Sequence, residues 1–265
     1  MKKIKTILVL ILILTFNYSF SQKSKVVKEW IMKDTLFISQ VTKAYNTSTK
    51  KLFEVLEVDD DELEKLGYDY FLNTNGNGKG YISFHYKILY LKNEIVAYEL
   101  VADIPDELKK TRELYKEKLS KLFDVNNNFE VKPIKVGIKK TFQSLNPKTN
   151  APKEIRKIMS PFIGVTYGGH CGFAGRLLSN RELFNKVIKP SNCQILLYSI
   201  NPATRIMAIE YFYCNRSSFN SKQIIEIEKR VKEIERQVPF TRTCSGCLFG
   251  EDLTKEIVKK LKNCK

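Results

Sequence analysis

The residues with the most obvious chemical potential lie in the glycine-rich segment YGGHCGFAGR, Tyr167 to Arg176. This segment places His170 directly before Cys171, in a chain that holds only two histidines and six cysteines. A cysteine becomes a nucleophile when a neighbouring base or positive charge lowers the pKa of its thiol. The segment therefore raises two hypotheses: Cys171 is a reactive thiol on a loop, or it is one half of a structural disulfide.

The histidines give the nucleophile hypothesis little support. His170 is poorly placed to pair with Cys171, because adjacent side chains in an extended segment point to opposite faces. Papain-like enzymes are excluded, since their histidine follows the cysteine and no histidine follows position 171. His85, upstream, is the other candidate base. Cys171 and His85 are thus weak catalytic candidates, and we assign no catalytic residue.

The pair Cys244-x-x-Cys247 suggests two further chemistries. With His170 and Cys171 it could supply four zinc ligands, but structural zinc sites usually combine two regularly spaced pairs. A thioredoxin-like site places its pair at a helix N-terminus, whereas three residues, 248–250, separate this pair from the next predicted helix. We expect no metal and no cofactor.

The first 21 residues have the pattern of a secretory signal peptide. A basic start precedes the apolar stretch Thr6–Thr15, and the small residues Ser19 and Ser21 lie before the predicted cleavage point. The apolar stretch is far shorter than the roughly 20 residues that span a bilayer. We expect a periplasmic or secreted protein without a retained transmembrane segment.

Export changes the interpretation of the cysteines, because an oxidising compartment and an even cysteine count predict disulfides. We predict three bridges in the C-terminal half. Cys193 and Cys214 lie at the ends of a predicted hairpin and can pair directly, and Cys264 would pair with one of the three that remain. Sequence alone does not choose among 15 pairings. The candidates are Cys171, Cys193, Cys214, Cys244, Cys247 and Cys264.

The formal net charge of +16 does not predict nucleic-acid binding. The basic residues are 36 lysines and nine arginines, whereas specific nucleic-acid sites favour the forked donors of arginine. Lysine is spread along the whole chain, as on a solvated surface. The partner stays unknown, with an envelope protein or an anionic surface polymer as the candidates.

Hydrophobic periodicity predicts an α+β fold built from two ββα units, with antiparallel strands covered by amphipathic helices. The first unit has a hairpin at Ile88–Leu100 and a helix at Asp106–Phe123. The second has a hairpin at Leu196–Tyr211 and a helix at Asn220–Gln237. Both hairpins contain apolar-Leu-Tyr followed by Ile-x-Ala-x-Glu, which favours an internal duplication.

The remaining chain gives a coarse domain division. We predict a further hairpin from Thr35–Tyr45 and Lys51–Val58, followed by a short acidic helix near Asp60. The predicted mature protein then consists of an N-terminal α+β unit at 22–145, a linker or long loop at 146–160, and a cysteine-containing α+β unit at 161–265.

The ββα pattern resembles the C-terminal modules of bacterial energy-transducer proteins of the TonB type. The resemblance covers the two predicted ββα units and implies an envelope interaction module, with no site residue to carry over. That family keeps an N-terminal anchor and a proline-rich spacer, whereas this chain has a cleavable signal pattern and eight prolines.

Together these features favour an exported soluble protein that binds a partner or interacts with the cell envelope, rather than an enzyme. One alternative is a thiol-dependent hydrolase or redox enzyme that uses Cys171 or the pair Cys244 and Cys247. Another is a structural or secretion-accessory component.

Overall fold

The computed structural model describes residues 26–59, 63–104, 109–120 and 151–264 of the protein. Within these ranges the chain forms a four-stranded sheet in the order β1-β2-β3-β4 and two separate two-stranded hairpins, β5-β6 and β7-β8. The strands are β1 Glu64–Gly67, β2 Tyr70–Gly78, β3 Ser83–Leu91, β4 Glu94–Asp103, β5 His170–Cys171, β6 Arg176–Leu177, β7 Phe240–Ser245 and β8 Leu248–Leu253. The helices are α1 26–45, α2 Thr49–Val55, α3 Lys109–Ser120, α4 Lys153–Met159, α5 Ser179–Val187, α6 Pro190–Leu196, α7 Pro202–Cys214, α8 Ser221–Gln237 and α9 Thr254–Leu261.

The described residues divide into two compact units that are discontinuous in sequence. The first contains 26–59, 74–86, 100–104 and 109–120, and the second contains 63–73, 87–99 and 151–264. None of the helices in the described ranges is both long and apolar enough to cross a membrane.

The first unit is organised around a buried carboxylate, Asp34 of α1. Its Oδ2 accepts hydrogen bonds from the backbone N–H of Tyr81 at 2.8 Å and from the hydroxyl of Tyr115 at 2.5 Å. Burial, together with this contact to Asp34, raises the pKa of Tyr115, so its hydroxyl stays neutral and donates. Nearby, Phe37 of α1 packs edge-on against Phe84 of β3, with ring centroids 5.4 Å apart. The Asp34 carboxylate therefore joins α1 to the connection between β2 and β3 and to α3.

The second unit is built around α7, which is buried on every side of its first two turns, Pro202 to Ile209. Asn201 caps this helix by accepting hydrogen bonds from the backbone N–H groups of Ala203 and Thr204, and Pro202 occupies its first turn. The amphipathic helix α8 packs against the same core through Ile227, Val231 and Ile234. A helix that is apolar on all faces must lie inside a core.

The coarse fold prediction is confirmed, since the protein is α+β, with antiparallel strands, helices and disulfides in its C-terminal half. The first predicted hairpin corresponds to β3 and β4. The described part of its predicted helix is α3, with Tyr115 and Leu119 buried as expected. Helix α8 is also confirmed, and Asn220 caps it by accepting from the Gln223 N–H at 2.9 Å.

The second predicted hairpin, at Leu196–Tyr211, is wrong, because α7 occupies most of this segment. Asparagine and proline are common in turns, which is why Asn201-Pro202 suits a predicted hairpin. Here the pair starts a helix, because asparagine caps it and proline is tolerated at the first helical position. The predicted duplication fails with it. A ββα arrangement does occur in this half, further along the chain, where β7 and β8 precede α9.

The predicted N-terminal hairpin is wrong as well, because its strands lie in helices α1 and α2. Ser48 caps α2 by accepting a hydrogen bond from the backbone N–H of Lys51 at 3.2 Å. Residues 46–48 therefore join two helices and not two strands. Residues 60–62 lie outside the described ranges, and β1 begins at Glu64 where the acidic helix was expected.

The predicted signal peptide, 1–21, lies outside the described residues. Residues 146–150 of the predicted linker at 146–160 lie outside the described residues, and most of 151–160 is helix α4. The domain division stays a prediction.

Replacement of Asp34 by asparagine tests the organising role of its carboxylate. Asparagine keeps the side-chain volume but removes the charge that strengthens the bonds from Tyr81 and Tyr115. Its amide nitrogen also cannot accept the bond that Asp34 Oδ1 takes from the backbone N–H of Ile82 at 3.4 Å. We expect Asp34→Asn to lower the free energy of unfolding by about 2–3 kcal/mol, as measured by urea denaturation. The exposed substitution Glu54→Gln is the control, and equal stability of the two variants would show that Asp34 is dispensable.

Candidate binding site

The glycine-rich segment that carries Cys171 forms a small hairpin held by a disulfide. Cys171, at the end of β5, is bonded to Cys244 of β7 with a Cα–Cα distance of 5.7 Å. The backbone N–H of Gly172 also donates to the carbonyl of Gly246 at 2.8 Å. The expectation that Cys171 is in a disulfide is therefore confirmed, and the segment attaches to the β7–β8 hairpin.

The other cysteines correct the predicted pairing. Two bridges form instead of three, because Cys214 is bonded to Cys264 while Cys193 and Cys247 are free thiols. Cys193 lies in helix α6 and not at a hairpin end, so it does not meet Cys214 as predicted. Its thiol is buried and donates to the carbonyl of Ala208 at 3.4 Å. Burial raises the pKa of Cys193 to about 12.

The predicted catalytic candidates do not form a dyad. Cys171 has no free thiol, and His85 lies on an exposed position of β3, where its Nε2 is 3.2 Å from the Ser83 hydroxyl. Cys244 and Cys247 are not bonded to each other. Among the residues that the structure describes, no cluster of three or more histidine, cysteine, aspartate or glutamate side chains could hold a metal ion.

A cleft of about 620 Å³ lies in the second unit between the β1–β2 turn and the start of β7. It combines aromatic side chains with three carboxylates and two basic groups, and apolar walls with a few charged groups are typical of binding sites. Its lining residues are Leu63, Glu64, Lys65, Gly67, Tyr68, Asp69, Tyr70, Phe71, Pro202, Gln237, Val238, Pro239, Phe240, Arg242 and Glu251.

Three charged residues stand where this cleft meets a neighbouring surface hollow of about 440 Å³. Arg242 of β7 donates to the carboxylate of Glu64 at 3.3 Å, and Glu251 of β8 is its cross-strand partner. The guanidinium of Arg242 also lies 6.0 Å from the ring of Phe249. One arginine therefore faces two carboxylates, which leaves this group with an excess of negative charge.

Burial gives Glu64 unusual electrostatics. It raises the pKa of the Glu64 carboxyl above its ordinary value, Arg242 opposes the rise, and the charge of Glu251 adds to it. A partly desolvated carboxylate gains more from an incoming positive charge than an exposed one, because less water screens the attraction. Shifted carboxyl groups in clefts are characteristic of functional sites.

The floor of the cleft is a tight turn between β1 and β2. Gly67, Tyr68 and Asp69 all have positive φ angles, of 82°, 56° and 61°. Gly67 cannot be replaced without displacement, because a Cβ there would lie 2.5 Å from Cγ2 of Val238. A bulky side chain at positive φ is rare, so Tyr68 is held in a strained conformation by its surroundings.

Strand β8 forms an exposed edge beside the cleft. In the described part of the chain it pairs with β7 alone, and all six of its residues are exposed. Leu248 is 78% exposed and Phe249 is 60% exposed, at one end of the strand. An edge strand leaves backbone N–H and C=O groups free to pair with another chain, and exposed apolar side chains mark interaction sites.

The chain matches no family model, no curated protein and no solved structure. The resemblance to energy-transducer modules therefore gains no support. Sequence reasoning had also missed Glu64, Arg242 and Glu251, because Glu64 and Arg242 are 178 positions apart and no local pattern joins them. The turn at Tyr68-Asp69 gave no signal either, because hairpin turns of two residues are usually marked by Asn-Gly, Asp-Gly or Gly-Gly.

Labelling of free thiols in the unreduced protein tests this assignment of the cysteines. We expect a maleimide to label only the exposed Cys247 in the native state, and to label Cys193 as well once the chain is unfolded in denaturant. The reason is that Cys193 is buried and its raised pKa leaves almost no thiolate. Peptide mass spectrometry identifies the labelled positions, and native labelling of Cys171 would contradict the disulfide.

Proposed function

We propose that this is an exported binding protein whose cleft and β8 edge bind an extended segment of another polypeptide that carries a basic side chain. Export is supported by the signal-like pattern at 1–21 and by two disulfides, which persist in oxidising compartments. The observation that carries the proposal is the negatively charged group Glu64, Arg242 and Glu251, at the place where the cleft meets an unpaired strand edge.

The backbone of β8 favours an extended partner. A peptide that adds to an open edge gains main-chain hydrogen bonds, and its alternate side chains point to the same face. The exposed side chains of Leu248 and Phe249 offer apolar contacts to such a strand. The disulfide between Cys171 and Cys244 anchors the neighbouring strand β7, so that the edge is preorganised and less ordering entropy is lost on binding.

The charged groups that line the cleft favour a partner with a basic side chain. The cleft is lined by three carboxylates and two basic residues although the whole chain has a formal charge of +16. A lysine or arginine of the partner would meet Glu64 and Glu251, and its aliphatic part would contact Phe240 or Phe249. An acidic segment would instead face two carboxylates that Arg242 only partly neutralises.

Binding of defined peptides tests the proposal. Fluorescence anisotropy would compare the mature protein's affinity for a short peptide of alternating valine and lysine with its affinity for the matched valine–glutamate peptide. We expect the lysine peptide to bind more tightly, and Glu64→Gln or Glu251→Gln to weaken it about 5- to 10-fold, because each removes one charged contact.

The exposed helix residue Glu256 provides the matched control, since Glu256→Gln removes the same charge from the surface of α9. It should leave the affinity for the lysine peptide unchanged. Equal affinity for the two peptides, or an equal loss in all three variants, would show that the effect is one of net charge and not of this site.

The affinity for the lysine peptide should also depend on pH. Glu64 must be ionised to attract the lysine, and its pKa in the free protein is raised above the ordinary 4.5. As the pH falls through that raised pKa, Glu64 takes up a proton and the affinity drops, at a higher pH than an exposed glutamate would give. In Glu64→Gln this part of the pH profile should disappear, and an unchanged profile would exclude Glu64 as the cause.

A further inference from the structure

Arg205, behind the floor of the cleft, is a fully buried arginine whose donors are mostly unused. The residue has no exposed surface, and its Nη2 donates to the backbone carbonyl of Leu66. Its Nε and Nη1 are buried and have no hydrogen-bond partner among the described residues. Native proteins rarely leave such groups unpaired, and each exception requires an explanation such as a bound ion.

Arg230 of α8 adds a second buried guanidinium beside the same tyrosine. Its Cζ lies 4.9 Å from the ring centroid of Tyr68, and that of Arg205 lies 5.1 Å from it. Arg230 has partners for two of its nitrogens: Nε donates to the carbonyl of Leu197, and Nη1 contacts Glu233 at 2.6 Å. Its Nη2 is buried and unpartnered.

Tyr68 supplies a fourth unused donor. Its hydroxyl is buried without a hydrogen-bond partner, although its ring lines the cleft. Burial raises the pKa of this hydroxyl, so that it is neutral and carries a proton. Tyr68 also keeps a strained positive φ of 56° in its turn. Its unusual backbone conformation therefore accompanies a ring that two guanidiniums approach and a buried hydroxyl that has no hydrogen-bond partner among the described residues.

The charges around this cluster do not balance. The facing groups are two guanidiniums, of Arg205 and Arg230, the carboxylate of Glu233, and the neutral hydroxyls of Tyr68 and Tyr198. Burial, with a smaller contribution from Arg230, lowers the pKa of Arg205 to about 10, so Arg205 is charged at neutral pH. Glu233 compensates one positive charge, and the part of the chain that the structure describes supplies no second carboxylate for the other.

We propose that the Tyr68 hydroxyl, Nε and Nη1 of Arg205, and Nη2 of Arg230 form a binding site for one small monovalent anion such as chloride. Each of these four atoms donates and none accepts from the others, which is the donor set that a halide requires. A small monovalent anion is favoured over phosphate because one positive charge is to be balanced and a divalent anion costs far more to desolvate. An ordered water could occupy the site, but it would not neutralise the charge.

This site uses other groups than the proposed peptide binding does, because the anion contacts the Tyr68 hydroxyl and the two guanidiniums while the peptide contacts Glu64 and Glu251. The anion would stabilise the fold of the second unit by binding the native state and not the unfolded chain. Its presence would hold Tyr68, and with it the turn that forms the cleft floor.

Bromide gives the most direct test, because it replaces chloride and scatters anomalously. Crystals of the mature protein grown in bromide should show an anomalous peak in contact with Nη1 of Arg205 and Nη2 of Arg230. Anomalous peaks at the protein surface alone, or a water at the cluster, would overturn the proposal.

Thermal unfolding in solution gives a second test that needs no crystal. The melting temperature of the chloride-free protein should rise saturably with sodium chloride, and much less with sodium gluconate at the same ionic strength. Tyr68→Phe keeps the ring and removes one donor, so several-fold more chloride should be needed for half of the effect. Tyr213→Phe, a hydroxyl deletion elsewhere in the unit, should not change the response; equal responses to both salts would overturn the proposal.

Discussion

The second unit depends on a positive charge that is buried in its core. Arg205 comes from α7, the helix around which this unit packs, and its guanidinium reaches the carbonyl of Leu66 at the end of β1. A buried arginine cannot lose its proton to escape the cost of burial, so its surroundings must stabilise the charge. The contacts that do so also fix the Tyr68 turn. The shape of the cleft floor is therefore a consequence of where this charge is accommodated.

The opposite wall of the cleft is fixed by a covalent constraint. The disulfide between Cys171 and Cys244 joins residues 73 positions apart and anchors β7, which carries Arg242. Closing a loop of that length stabilises a fold by about 4 kcal/mol in the chain-entropy model. Arg242 is thereby held against Glu64 on the other wall. A buried arginine bonded to the end of β1 on one side and a disulfide on the other give a preorganised site, which favours binding because little further ordering is needed.

Local signals in the sequence were enough for some of these elements. Helix α8 could be predicted because its apolar stripe has helical spacing and Asn220 is a strong cap. The disulfide at Cys171 followed from export chemistry. Helix α7 could not be predicted from periodicity, since a helix buried on all sides has no polar face. The burial of Arg205, a residue type that is usually exposed, was also beyond a sequence pattern.

The site itself is a product of tertiary structure. Its charged group joins β1 to β7 and β8, and the pairing of six cysteines depends on the path of the whole chain. The strand edge at β8 could not be predicted for the same reason. The second hairpin was expected at Leu196–Tyr211, whereas the observed hairpin is β7–β8, after helix α8. The sequence was enough to predict an α+β fold with disulfides in its C-terminal half, but not the residues of the charged group.

Hydrogen exchange of the mature protein, with and without a saturating valine–lysine peptide, tests the central claim most directly. If the peptide adds to β8 and fills the cleft, the backbone N–H groups of residues 248–253 and 64–72 should exchange more slowly in its presence. Slower exchange confined to residues 26–59, or no change at residues 248–253 in a saturated complex, would contradict the proposed binding site.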